Sequence, residues 1–254
     1  MATFLGINLF GLFGQLLVGL INGSFYALLS LGLAIIFGLL KIINFAQGAI
    51  YMLGAFGAYL GLHYLGISYW AALIVVPLVV GLLGILMERF LIRPIANEDH
   101  LYSLLLTFGV ALVLQGLFTH LFGSSGLSYA IPDALKGGTK LPFMYLPSYR
   151  AWIIIASLTV CFATWWMIEK TKLGAYLRAG TENAALMQAF GINVPLMVTL
   201  TFGFGVALAG FAGVMAAPVY SVSPDMGSSI LIVVFAIVVI GGMGSIGGAI
   251  LTGL

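Results

Sequence analysis

The sequence predicts an all-α protein, a polytopic transmembrane helical bundle of about seven complete spans and the start of an eighth, and three observations predict it. Hydrophobic residues make up 62% of the chain and charged residues 6%, with a mean hydropathy of +1.19. A soluble domain carries roughly 25% charged residues. The apolar runs are of helix length and rich in Leu, Ala, Ile and Gly, unlike the alternating segments of about ten residues in an outer-membrane barrel. Polar residues gather in short islands between the runs, where a chain turns at the membrane surface. Residues 1–254 read as a single transmembrane domain.

The first run, 11–40, is interrupted by Gln15, Asn22 and Ser24 and stops at Lys41. No Lys or Arg precedes it, and it outlasts a signal peptide, so it reads as a retained first span. Asn44 and Gln47 stand at the entry to a second span over roughly 48–66; buried amides need partners, because each unpaired one costs about 1–3 kcal/mol. A third span, 69–91, contains Pro77, a kink that membrane helices tolerate, and ends at Glu88 and Arg89, followed by Arg93. A fourth, 101–122, carries Thr107 and Gln115. Residues 123–150 form a polar lobe with frequent Gly, Ser, Pro and Tyr. The fifth span, 151–168, has Trp152, Trp165 and Trp166 near its ends, where interfacial indoles belong. In the sixth, 197–219, Gly205, Ala209, Gly213 and Ala217 recur as a small-residue ladder for close helix packing. The seventh, 228–241, is short, and the closing residues read as an eighth that is cut off.

Residues 169–194 are a polar island with the pattern of a docking handle. Thr181 can cap a short helix, Glu182 suits its positive end, and Gly191 can close it, giving about nine helical residues, roughly 13 Å. Ala185 and Leu186 stack one turn before Ala189 and Phe190, an apolar side in need of a partner. A helix resting on the membrane surface is the other reading of that pattern. Basic residues orient the bundle: Lys41, Arg89, Arg93, Lys170, Lys172 and Arg178 fall on one side, and Lys136, Lys140 and Arg150 on the other. By the positive-inside rule the first side is cytoplasmic, which puts the handle inside and both the N-terminus and the 123–150 lobe outside.

The chemistry written in the chain is sparse. Gly242-Met-Gly-Ser-Ile-Gly247 matches G-x-G-x-x-G but lacks the downstream acid and the soluble βαβ unit of a dinucleotide site. There is no P-loop, so ATP, if used, is bound by another subunit. His63, His100 and His120 lie far apart and offer no metal site, and no nucleophile set points to an enzyme. Cys161, alone in an apolar run, reads as a small buried residue. The net charge of +2 is too dispersed for nucleic acid. No clear mid-span acid is present to couple an ion gradient. What remains is an uncharged path whose candidates are Gln15, Asn22, Ser24, Asn44, Gln47, Thr107 and Gln115, suited to a small neutral or zwitterionic solute. A stand-alone channel or facilitator would have the same lining.

Several stretches carry a resemblance. Asn22-Gly-Ser-Phe-Tyr-Ala-Leu28, Ile43-Asn-Phe-Ala-Gln-Gly48, Tyr51-Met-Leu-Gly-Ala55, Leu173-Gly174 with Arg178-Ala179, Gly191-Ile-Asn193 and Gly241-Gly-Met-Gly-Ser-Ile-Gly-Gly248 together resemble the branched-chain amino acid permease family of bacterial ABC importers. One departure is Gln47, where the family often has histidine. The resemblance implies a multi-pass inner-membrane permease that pairs with a second permease as a homo- or heterodimer, binds two cytoplasmic ATPases and receives a periplasmic solute-binding protein. It also implies that Glu182, Ala185, Leu186, Ala189, Phe190 and Gly191 belong to a coupling helix seated in an ATPase groove.

Overall fold

The computed structural model describes residues 3–4, 7–96, 98–140 and 145–254. Part of the predicted lobe, 141–144, and residues 1–2 and 5–6 of the N-terminus lie outside them. Two-stranded pairs, β1 (Thr3–Phe4) with β2 (Ile7–Asn8) and β3 (Gly138–Lys140) with β4 (Tyr145–Pro147), are the small β elements of an otherwise helical chain. The long helices are α1 (Leu9–Ala34), α2 (Gln47–Leu65), α3 (Tyr69–Met87), α4 (His100–Phe122) and α5 (Ser148–Lys170). There follow α6 (Lys172–Glu182), α7 (Ala184–Ala189), α8 (Val194–Ala216), α9 (Met226–Ile240) and α10 (Ile246–Gly253). α1 and α3 each end in a π-helical turn, Ile35–Leu39 and Glu88–Ile92.

Among the described residues five helices are long and apolar enough to cross a membrane: Gly11–Leu39, Tyr69–Ile95, His100–Phe122, Ser148–Lys170 and Val194–Ala216. The expected seven complete spans are therefore not matched by that criterion. α2 is long enough but carries Gln47 and His63, and much of its surface is buried among other helices, so it needs no lipid-compatible perimeter. α9 is apolar but only 15 residues long, about 22 Å against a hydrocarbon core of about 30 Å. The expected start of an eighth span corresponds to the eight-residue helix α10.

Backbone contact holds the centre together. A Cβ placed on Gly54 would lie 2.2 Å from the Gly210 carbonyl oxygen, one on Gly213 2.1 Å from that of Tyr51, and one on Gly48 2.3 Å from that of Gly227. α2 thus meets α8 and α9 with no side chain between, the close approach that small residues permit in membranes. Of the ladder residues Gly213 sits in the α2–α8 seam, Gly205 instead faces the Gly32 carbonyl and Ile36 of α1 and its π-turn, and Ala209 and Ala217 are buried.

At one end of the bundle a hydrogen-bonded chain ties three helix termini. Tyr149 donates to the Met215 carbonyl at 2.9 Å, which leaves Tyr69 to donate to Tyr149 at 2.9 Å, while the Trp152 indole donates to Tyr69 at 3.2 Å. Each phenol is thereby satisfied in the apolar surroundings, and α3, α5 and α8 are locked together there. The lobe packs at this same end through a short bridge: Leu127 N–H donates to the Val222 carbonyl at 2.8 Å and the reverse bond is 2.9 Å. At the lobe surface the Lys136 amine beside Asp133 holds that carboxyl below its usual range.

Replacing Gly213 by Leu forces atoms into the Tyr51 backbone, so the variant is expected to lose monodisperse yield in detergent. Gly116→Ala, where nothing lies within 4 Å of the added carbon, is expected to keep it. Size-exclusion chromatography of the two variants side by side checks this, and equal profiles would place the α2–α8 seam elsewhere.

Candidate functional site

Three of the predicted path residues converge. Asn44 donates through Nδ2 to Gln47 Oε1 at 3.2 Å and accepts from the Ala46 N–H at 3.1 Å. Gln47 Nε2 donates to the Gly205 carbonyl at 3.3 Å, midway along α8. Thr107 Oγ1 accepts from the Phe45 N–H at 3.0 Å. All three side chains are buried. The non-helical peptide between α1 and α2 therefore reaches well inside the bundle, where its N–H groups have no water to bond and are met by side chains instead. Lys41 starts this peptide in the left-handed region, φ 57°, and its N–H bonds the Phe37 carbonyl at 3.1 Å.

The other four path candidates scatter. Ser24 is buried and donates to Ile21 of its own helix at 3.0 Å. Gln15 lies on an exposed face of α1. Gln115 donates to Asp225 at 2.7 Å and edges a small cavity with Phe45, Phe108 and Ser228. Asn22 opens onto a cavity of about 270 Å³ at the lobe end, with Arg150 and Tyr220 also in its wall. Tyr220 is shared with an adjoining cavity of about 290 Å³ whose polar lining includes Tyr26, Tyr51, Ser221, Ser223 and Ser229. This cleft was missed from sequence because its hydroxyls come from three separate segments. A further cavity of about 340 Å³, between α2, α3 and α4, is walled by apolar groups such as Leu53, Leu83 and Phe90, which suits an acyl chain rather than a polar solute.

At the opposite end, the predicted handle takes a different form from the expected nine-residue helix. α6 runs on through Glu182, and the short helix α7 has six residues. Its cap is Asn183, whose Oδ1 accepts from the Leu186 N–H at 2.9 Å. Thr181 instead donates to the Leu177 and Arg178 carbonyls within α6. Gly180 does not break α6; it is buried there, and an added Cβ would meet Val194 at an ordinary contact distance of 3.5 Å. Gly191 closes α7 at φ 81°, with Gly191 N–H on the Gln188 carbonyl at 2.9 Å and Ile192 N–H on that of Met187 at 3.1 Å, the paired bonds of a Schellman ending. Glu182, Ala185 and Ala189 are exposed, Leu186 is 53% exposed and Phe190 75%.

A charge pair, its Glu88 buried and its Arg93 part-exposed, fastens the start of α8. Glu88, 3% exposed, is held by Arg93 at 3.2 Å through Nε and 3.1 Å through Nη2. Arg93 also donates to the Pro195 carbonyl at 3.1 Å and to Thr199, and Thr199 donates to Glu88 at 2.7 Å. This clamp ties the π-turn of α3 to the first turn of α8. The sequence reading took Glu88 and Arg93 only as span-end charges; their five-residue spacing, one turn of a π-helix, was the available signal. Among the described residues no cluster of His, Cys, Asp or Glu could hold a metal.

The chain matches the family described as branched-chain amino acid transport system / permease component over residues 15–254. It is 31% identical over 254 residues, 94% of this chain and 82% of the relative, to the high-affinity branched-chain amino acid transport system permease protein BraD of Pseudomonas aeruginosa. It is 30% identical over 254 residues, with the same coverage of 94% and 82%, to the permease protein LivH of Escherichia coli. It is also 29% identical over 245 residues, 87% of this chain and 57% of the relative, to the permease protein LivM of Escherichia coli. No solved structure matches. A helical bundle with membrane-length apolar helices, matched over nearly its whole length, places the chain plainly: it belongs to the branched-chain amino acid transport system permease component family.

Proposed function

We propose that this protein is the membrane permease subunit of an ATP-driven importer for branched-chain amino acids or related small solutes. The observation that carries the reading is family membership across residues 15–254, and it favours an importer over a stand-alone channel. The relatives are named for branched-chain amino acids, and the substrate class is taken from them. The protein sits in the bacterial inner membrane as a homo- or heterodimer with a second permease. Similarity to both LivH and LivM supports such pairing. Two cytoplasmic ATPases bind below, supplying the only nucleotide chemistry, and a periplasmic solute-binding protein docks above. α2 and α9 complete seven crossings with the five long helices, which leaves the N-terminus and the 123–150 lobe periplasmic.

In this reading α7 sits in an ATPase groove. Its exposed Leu186 and Phe190 support docking, since burying each contributes roughly 1.5–3 kcal/mol. A helix so short does not bend, and motion of the ATPases passes through Gly191–Asn193 to α8, whose first turn is clamped to α3 by Arg93 and Glu88. The lining candidates Asn44, Gln47 and Thr107 then serve to brace the broken segment, leaving the route itself to the cleft at the lobe end.

Phe190→Ala is expected to release the ATPases on co-purification or to cut vesicle uptake at least several-fold while the permease stays monodisperse. Parental values for both would make α7 a surface helix. Arg93→Lys keeps the charge but loses the two-pronged grip, so the ATPases should stay bound while solute carried per ATP falls; an unchanged ratio would remove the clamp from the transmission path. A cysteine introduced at Ser125 should react with an impermeant thiol reagent in intact cells, and protection there would invert the topology.

A further inference from the structure

Arg150, in the first turn of α5, is half-buried at the wall of the 270 Å³ cavity. It has no hydrogen bond or ion pair with any described residue. The chain has 7 acidic residues, and each is engaged or placed elsewhere. Glu88 holds Arg93, Asp133 holds Lys136 and Glu169 holds Arg178. Asp99 caps α4 and Asp225 receives Gln115. Glu98 and Glu182 are exposed at the α7 end. None of the residues outside the described ones is acidic. The guanidinium is thus a cation with no counter-ion among the described residues, lining a cavity at the mouth of the bundle.

The rest of the wall has two characters. Asn22 and Tyr220 add an amide and a hydroxyl to the wall that holds Arg150, and Val18, Ile153 and Val219 add aliphatic surface. Burial and the neighbouring Tyr26 push the Tyr220 hydroxyl up, and the Arg150 charge opposes them. A small cavity with one fixed cation, two neutral polar groups and an aliphatic bed matches a small molecule with a carboxylate at one end and a hydrocarbon at the other. The adjoining cavity, lined by hydroxyls and free of charge, gives such a molecule somewhere to go next.

We propose that the cavity between α1, α5 and α8 is a solute-binding station of the permease itself, taking an aliphatic α-amino acid with its carboxylate on Arg150 and its side chain on the Val18, Ile153 and Val219 bed. The inference rests on the importer reading above and adds a site to it. A phospholipid phosphate or an acidic side chain of the solute-binding protein would satisfy the same cation, and the test separates both from the amino acid.

The test uses the complete permease–ATPase complex in nanodiscs without its solute-binding protein, and reads equilibrium binding of radiolabelled leucine. Saturable binding is expected, weakened at least ten-fold by Arg150→Gln and less by Arg150→Lys. Leucinol, which lacks the carboxylate, should compete poorly, and 4-methylpentanoate, which lacks the amine, should compete well. That competition series on the parental complex decides the matter even if Arg150→Gln does not assemble. No saturable binding by the parent, equal binding by Arg150→Gln, or leucinol competing as well as leucine would each overturn the station. So would a phospholipid retained by the parent and lost from Arg150→Gln with leucine binding unchanged, or a loss confined to docking of the solute-binding protein. A parental complex that with its binding protein takes up no branched-chain amino acid would instead overturn the importer's substrate reading; normal uptake by the parent with indifferent Arg150 variants would sink the station alone.

Discussion

The bundle depends on α2 touching α8 and α9 backbone to backbone. Gly48, Gly54, Gly213 and Gly227 let the backbones touch along that seam, and the lipid outside offers no hydrophobic gain for pushing helices together, so cohesion comes from close van der Waals fit. This permits the non-helical peptide before α2 to lie inside the protein. Only a tightly sealed centre can hold Asn44 and Gln47 dry and oblige them to bond each other and the Gly205 carbonyl.

The two ends of the bundle are built by different means. At the lobe end neutral hydroxyl and indole groups join Tyr69, Tyr149, Trp152 and Met215, and the lobe adds a backbone bridge to Val222. At the α7 end a charged clamp joins Glu88, Arg93, Pro195 and Thr199. Losing Arg93 would strand the buried Glu88 carboxylate, at a cost below the roughly 3–5 kcal/mol of a fully buried pair because Arg93 itself is 39% exposed. The charged fastening thus stands beside the segment assigned to receive force, and the two polar cavities lie at the other end.

The helical class and the positions of the long apolar helices were legible because each apolar run had only one way to satisfy its backbone in lipid. α2 was legible as a helix but not as an interior one, since burial depends on neighbours that a run of residues does not name. Gly191 was read correctly as the stop of the short helix, because a left-handed residue there favours glycine. Its start was misplaced: Thr181 and Asn183 are both good caps, and the choice fell to whether α6 continued past Gly180, as it does. Asn44, Gln47 and Thr107 read as separate path residues because sequence gives polarity without partners. Arg150 was counted only as a charge on one side, since a missing counter-ion is visible only when all the acids have been located.

Both π-helical turns, Ile35–Leu39 and Glu88–Ile92, lie where a transmembrane helix reaches the α7 end. A π-turn holds one residue more than an α-turn, so everything after it is rotated by about 100° relative to an uninterrupted helix. That rotation sets the direction in which Arg93 meets Pro195 and Thr199, and the direction in which the chain leaves Leu40 for Lys41. Loss of a single residue from either turn is therefore a change of phase rather than of length: the helix would still span, but its last residues would face the wrong neighbours.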